Sequence, residues 1–234
     1  MRTTMSVLPD RDGLDAPVTL DRREGPYGEV VLRQRGGHFE IIANGCFLMD
    51  TADGRSERLL IQAALDQFGS VERPSVLIGG LGVGFSLAYA AAEPRWGRIA
   101  VAEREGAIID WHRSGPLAEF SEHALEHDSR VAVLHTDLVE YLRAEGERYD
   151  ALCLDIDNGP DWTVTDSNLG LYGPAGLAAA QRRLTPGGVL AVWSAQPSAA
   201  FEEALRTAGF ADVRTLEIPV LRGVPDVVHL ARRA

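Results

Sequence analysis

An α/β fold built on a doubly wound, mostly parallel sheet is what the sequence predicts, on three observations. From Ser75 onward, apolar strand-like runs alternate with helix-like segments. The first of those runs breaks into glycines, at Gly79, Gly80, Gly82 and Gly84, directly before a helical segment. Acids then follow successive strands, at Glu103, Asp137 and Asp155. Seven strands are expected, with right-handed crossovers, and the last two form an antiparallel hairpin because no helix separates them. A small antiparallel β-region precedes this sheet.

Taken in order, residues 1–24 are polar, carry Pro9 and Pro17 and show no sustained periodicity, so a loose arm is expected there. Residues 25–69 hold three short β-rich runs, EVVLRQ, HFEIIANG and CFLMD, followed by the helix SERLLIQAALDQF with Ser56 as its cap. Gly36-Gly37 and Asn44-Gly45 separate the runs, and both pairs reach positive φ cheaply, which marks hairpins. Residues 70–234 carry the alternation. SVLIG is followed by the helix FSLAYAAAEP, RIAVAERE by GAIIDWHRSGP, and RVAVLHTD by LVEYLRAEG. The strand YDALCLD leads through a loop to the helix GLAAAQRRL, and GGVLAVWSA leads to FEEALRTAGF. DVRTLEIPVL and VPDVVHLARR close the chain as the hairpin.

Composition narrows the function. The 34 acids outnumber the 23 basic residues for a net charge of -11, which argues against a nucleic-acid partner, whose backbone is bound through basic contacts. Every basic residue is Arg, so neither a Schiff-base lysine nor a P-loop lysine drives the chemistry. Cys46 and Cys153 stand too far apart in sequence to suggest a disulfide framework, and no metal site is expected. His123 and His127 have the spacing of a ligand pair, but the acids around them read as a solvated helical face. No apolar run approaches the ~20 residues of a membrane span, and the N-terminus lacks a signal-peptide core, so no membrane partner and a cytoplasmic location are expected.

In sheets of this kind ligands bind beyond the carboxyl ends of the strands, so the residues just after each strand are the candidates. Gly79, Gly80, Gly82 and Gly84 give a tight turn that lets a ligand approach the backbone at a helix N-terminus. Glu103, about 20 residues further on, suits a ribose diol. Asp137 stands where the exocyclic amine of a base would be met, and Asp155 and Asp157 follow the fourth strand. Each acid alone also fits a cap or a turn, and Asp157-Asn158-Gly159-Pro160 has turn chemistry of its own. Together they indicate a nucleoside-type cofactor. The glycines of Gly80-Leu-Gly82-Val-Gly84 lack the G-x-G-x-x-G spacing of a dinucleotide fingerprint. Trp162, Tyr172 and Trp193 are candidates for the wall of an acceptor pocket, although aromatics near strand ends commonly belong to the core.

These features resemble the Rossmann-like fold of class I S-adenosylmethionine-dependent methyltransferases, and more closely the spermidine synthase (polyamine aminopropyltransferase) family. The resemblance runs over about residues 27–234. It is carried by Asn44-Gly45 and Glu57, the GGLGVG loop, RIAVAERE, the HTD segment, YDALCLDIDNGP, Leu171-Tyr172 and LTPGGVLAVWSAQ. It implies S-adenosyl-L-methionine or its decarboxylated form bound by Gly79, Gly80, Gly82, Gly84, Glu103, Asp137 and Asp155. It also implies Asp155 and Asp157 as catalytic acids, a small-molecule acceptor and a homodimer. Three positions depart from the family pattern. Gly82 stands where the family has an Asp that holds the amine of the decarboxylated donor, Arg58 follows Glu57 where an aromatic or His is usual, and the spacing of Asp155 and Asp157 is altered. The missing acid removes a cation partner of the decarboxylated donor and the repulsion that would exclude the carboxylate of intact S-adenosylmethionine, and an Arg would repel a dicationic amine acceptor. Methyl transfer to a small molecule from S-adenosylmethionine is therefore the expectation. Aminopropyl transfer is the alternative, and a non-catalytic binding or interaction protein is a third reading.

Overall fold

The structure is a computed structural model that describes residues 16–69, 71–156, 158–163, 168–218 and 224–234. The chain divides into two compact units, one ending at Ala52 and one running from Asp53 to Ala234.

The smaller unit is a four-stranded antiparallel meander of β1 (Val18–Gly25), β2 (Gly28–Arg35), β3 (His38–Ala43) and β4 (Cys46–Asp50). Both glycine-bearing hairpins form as expected, with Arg35 paired to His38 and Ala43 to Cys46. Asn44 and Gly45 take φ of 50° and 78°, the left-handed pair that a two-residue hairpin requires. The Asn44 side chain also secures the neighbouring hairpin: its Oδ1 accepts the Glu29 N–H at 3.0 Å and its Nδ2 donates to the Tyr27 carbonyl at 3.0 Å. The expected arm is corrected at its end, because Val18–Gly25 is a strand. It is solvent-exposed almost throughout, so no burial pattern announces it. Pairing to β2 and the ion pair of Arg22 with Glu29 hold it in place.

The larger unit holds a seven-stranded sheet in the order β10-β11-β9-β8-β5-β6-β7. The strands are β5 (Ser75–Gly79), β6 (Arg98–Glu103), β7 (Val131–His135), β8 (Tyr149–Leu154), β9 (Leu184–Ser194), β10 (Phe210–Ile218) and β11 (Asp226–Arg233). The five from β9 to β7 are parallel, while β11 runs antiparallel to both β9 and β10, the expected terminal hairpin. β5 and β8 are buried on both faces, which is why they read as continuous apolar runs. At their amino ends the Asp150 carboxylate ties three strands together. It accepts the Ser75 N–H and hydroxyl, each at 2.8 Å, and the Thr185 hydroxyl at 2.8 Å.

Helices α1 (Arg55–Leu65), α2 (Phe85–Ala92), α3 (Gly106–Arg113), α4 (Ala124–His127), α5 (Leu138–Arg143), α6 (Leu169–Tyr172), α7 (Pro174–Arg183) and α8 (Ala199–Thr207) fill the connections, with a 3₁₀ turn at Ala118–Ser121. One core packs Leu138, Leu142, Leu177 and Phe201 of the helices against Leu77, Leu152 and Leu190 of the sheet. Leu60, Ile61 and Leu65 of α1 are fully buried, and that helix packs on α2, β9 and β11. Ser56 is not its cap. Gly54 holds the cap position, and the Ser56 hydroxyl instead donates to Asp226 Oδ2 at 2.8 Å. No helix among the described residues is long and apolar enough to cross a membrane.

Candidate active site

The strand order reverses between β8 and β6 on either side of β5, so the carboxyl ends of β5 and β8 form the switch point of the sheet. The glycine loop follows β5 there and Asp155 follows β8. The Asp155 N–H donates to the Gly79 carbonyl at 3.1 Å, and the Gly80 N–H to that of Ala102 at 2.9 Å, so the loop leaves the sheet in register with both neighbours. Gly80 has φ +91°, and a Cβ there would stand 2.8 Å from the Asp155 carbonyl oxygen. Only glycine passes so close to the β8 loop. Gly82 and Gly84 are also left-handed, at φ 49° and 99°, and the chain enters α2 directly after them.

Glu103, at the end of β6, is buried and bound to this loop. Its Oε2 accepts the Leu81 N–H at 2.9 Å and its Oε1 accepts the Glu105 N–H at 2.8 Å. Burial raises its pKa and the two backbone donors oppose that rise. Each oxygen keeps a further lone pair, which suits a diol. Asp137 is buried as the N-cap of α5, where its Oδ1 accepts the Glu140 N–H at 3.0 Å. The capping role is therefore real, and Oδ2 is the oxygen that remains for another donor. Asp155 is half-buried beside Gly80. Asp157 lies outside the described residues.

A second group of acids gathers at the same edge of the sheet. The end of β9 pairs with the start of β11, Ser194 opposite Val227, and Asp226 just before it receives the Ser56 hydroxyl. Glu57, one residue along α1, is largely buried, and its pKa is pushed up to about 7, first by burial and then by the charges of Asp53 and Asp226. Its backbone carbonyl lies 3.5 Å from the Ser86 hydroxyl of α2. Arg58 sets its guanidinium 5.5 Å from the Phe85 ring centroid, and its charge still acts on the acids, opposing the rise at Glu57 and helping to lower the pKa of Asp53. Sequence spacing placed Glu57 here only by resemblance. Asp53 and Asp226 carried no sequence signal, since Asp226 reaches α1 across 170 residues.

The remaining candidates separate. Tyr172 is buried and packs edge-on against Phe201, with ring centroids 5.7 Å apart. Trp162 is exposed, and Trp193 lies partly buried on β9. His123 precedes α4 and His127 ends it, and no metal-ligating cluster occurs among the described residues. Cys153 is fully buried, which pushes its thiol far above the ordinary range and leaves it inert.

No family model matches the chain. It is 28% identical over 192 residues to the polyamine aminopropyltransferases of Mycobacterium tuberculosis (strains CDC 1551 / Oshkosh and H37Rv) and Mycobacterium bovis, a match that covers 80% of this chain. The chain spans 35% of the length of those relatives. Among solved structures it superposes on the spermidine synthase of Thermotoga maritima with a TM-score of 0.72 at 14% identity, covering 92% of this chain and 73% of that one. A spermidine synthase in complex with the transition-state analogue AdoDATO gives 0.71 at 14% identity, covering 92% and 72%. The chain is spermidine synthase-like. Its α/β class, seven-stranded sheet and terminal hairpin agree with the sequence expectation. The methyltransferase expectation is overturned, because the relatives are polyamine aminopropyltransferases and the solved neighbours spermidine synthases. That expectation rested on two single positions. It gave too much weight to the acid missing at Gly82, although acids from α1 and β11 assemble at the same edge. It also gave too much to Arg58, which packs on Phe85 and whose charge is met by Asp53 and Glu57.

Proposed function

We propose that this spermidine synthase-like chain is an aminopropyltransferase, moving a 3-aminopropyl group from decarboxylated S-adenosylmethionine to an amine of a small polyamine-type acceptor. The observation that carries the reading is the 192-residue match to polyamine aminopropyltransferases. Two features of the site support it. The glycine loop and Glu103 suit a nucleoside, and the acids Glu57 and Asp226 suit a cationic amine, with Asp53 beside them already ion-paired to Arg55. A carboxylate desolvated as Glu57 is gains most from a bound cation, which restores the charged form that burial opposes.

In this reading Glu103 holds the ribose hydroxyls, Asp137 meets the base, and Gly79, Gly80, Gly82 and Gly84 let the donor lie against the backbone at the start of α2. The sulfonium supplies a good leaving group. The acceptor nitrogen attacks the methylene carbon next to it, a carbon–nitrogen bond forms, and the carbon–sulfur bond breaks with its electron pair passing to sulfur. The nitrogen then sheds a proton to Asp155, with Asp157 as the second acid of that loop. The protein acts mainly by holding the pair in line and keeping water away.

Calorimetry with intact and decarboxylated S-adenosylmethionine tests the reading. Tighter binding of the decarboxylated donor is expected. Tighter binding of the intact form would overturn it, and a folded chain that binds neither would favour a non-catalytic protein.

A further inference from the structure

The loop that the donor reading relies on rests on a buried imidazole that its sequence motifs do not include. His112, on α3, is fully buried, with Nε2 2.9 Å from the Gly82 carbonyl oxygen and Nδ1 3.0 Å from Ser121 Oγ. Its ring also lies directly under Gly84, where a Cβ would come within 2.6 Å of His112 Cε1. Two of the three left-handed glycines in the loop therefore sit on one side chain. Its neighbour on the other side of the loop is Glu103, which holds Leu81, so consecutive residues are fixed from β6 and from α3.

The hydrogen-bonding chemistry orients the ring. A carbonyl oxygen only accepts, so Nε2 must carry the proton that faces Gly82. Burial pushes the pKa of His112 down to about 4 against the pull of the Gly82 and Leu117 carbonyls, so the ring is neutral near pH 7. The ring's other partners are the Ser121 hydroxyl at Nδ1 and the Leu117 carbonyl. The Ser121 hydroxyl donates to the Ala118 carbonyl at 3.1 Å and keeps its oxygen 3.0 Å from Nδ1. The opposite tautomer would set a lone pair against the Gly82 oxygen at hydrogen-bond distance.

The consequence for the ligand follows from the planar trans peptide. Carbonyl and N–H point to opposite sides of the unit, so fixing the Gly82 carbonyl toward His112 turns the Val83 N–H away from it. That N–H, with the start of α2 behind it, is a donor held in place before any ligand arrives. We infer that His112, through its Nε2–H bond to the Gly82 carbonyl, is the positioning residue of the glycine loop and governs donor affinity without touching the donor. The inference rests on the proposed nucleoside donor, and its test separates the two.

The test combines NMR of the histidine ring nitrogens with calorimetry of 5′-methylthioadenosine and decarboxylated S-adenosylmethionine, on the full chain and on H112Q, H112L and S121A. The signal lost in H112Q is expected to be that of a neutral Nε2–H ring that does not titrate between pH 5.5 and 8. H112Q keeps an N–H for the Gly82 carbonyl and is expected to bind both nucleosides within about threefold of the parent. H112L leaves that carbonyl unpaired, and a loss of about tenfold in donor affinity is expected, with acceptor KM unchanged. S121A, which removes the partner of Nδ1 and keeps the ring's volume in place, is expected to weaken binding in the same direction should H112L fail to fold. An Nδ1–H ring would overturn the inference. So would equal affinity in H112L, S121A and the parent, or equal loss in H112Q and H112L. A parent chain that binds neither nucleoside would instead remove the donor reading, and His112's ligand role with it.

Discussion

Glu57 gives the sharpest link between burial and behaviour. A carboxyl raised from its ordinary value of 4.5 to about 7 in the folded chain takes up its proton more readily folded than unfolded. Below pH 4.5 both states are protonated and the group contributes nothing. As pH rises from 4.5 to 7 the unfolded chain releases the proton while the folded chain keeps it, so stability falls across that window and levels off above it. The shift of 2.5, from 4.5 to 7, corresponds to about 3 kcal/mol at full strength, and solvent reaching the part-exposed carboxyl brings it nearer to about 2 kcal/mol. Glu57→Gln keeps the shape and removes the titration. It is expected to stabilise the protein by about 2 kcal/mol at pH 8 and by less than about 1 kcal/mol at pH 5. For a chain of this size that is a rise in Tm of about 4–8 °C at pH 8. Calorimetric melts of parent and variant at pH 5, 6, 7 and 8 measure it. A gain independent of pH, or a gain larger at pH 5 than at pH 8, would refute the assignment of a desolvated acid at this position. Added diamine should narrow the gap, because a bound cation stabilises the charged carboxylate in the parent only.

Three further outcomes follow from the site. Gly80→Ala places a Cβ 2.8 Å from the Asp155 carbonyl oxygen at φ +91°, so a destabilisation of at least about 1–2 kcal/mol in denaturant melts is expected, together with weaker donor binding. Glu103→Gln turns one acceptor into an NH₂ group that faces a backbone N–H, either that of Leu81 or that of Glu105. A loss of about 1–3 kcal/mol in stability is expected, and calorimetry should show nucleoside binding reduced at least tenfold. Asp155→Asn should leave donor affinity within a few-fold and lower turnover at least about a hundredfold, as loss of a proton acceptor does. Unchanged turnover would remove Asp155 as the base.

The parts of the fold that were legible in the sequence are those governed by local chemistry. Asn44-Gly45 announced a hairpin because few other residues adopt two left-handed φ values in succession. The two-face burial of β5 and β8 announced a parallel sheet, and the break into Gly79–Gly84 announced its ligand edge. Val18–Gly25 was illegible because an exposed strand held by pairing and ion pairs has no alternation to read. Ser56 had the chemistry of a cap, but a partner 170 residues away takes its hydroxyl. Tyr172 matched the resemblance and packs against Phe201 all the same, because proximity to a strand end does not fix the direction of a ring. The site was half legible. The residues after each strand were found by topology, while Asp53, Asp226 and His112 reach it only through the packing of α1, β11 and α3. The choice of transferred group turned on that missing half. The absence of an acid at Gly82 is visible in the sequence, whereas the gathering of acids around Glu57 is visible only in the fold.

Mass spectrometry of the products tests aminopropyl transfer most directly, with purified chain, a diamine acceptor and either decarboxylated or intact S-adenosylmethionine. Decarboxylated donor is expected to yield 5′-methylthioadenosine and an acceptor heavier by one aminopropyl group, and intact donor is expected to yield neither. S-adenosylhomocysteine and a methylated acceptor from the intact donor would contradict it.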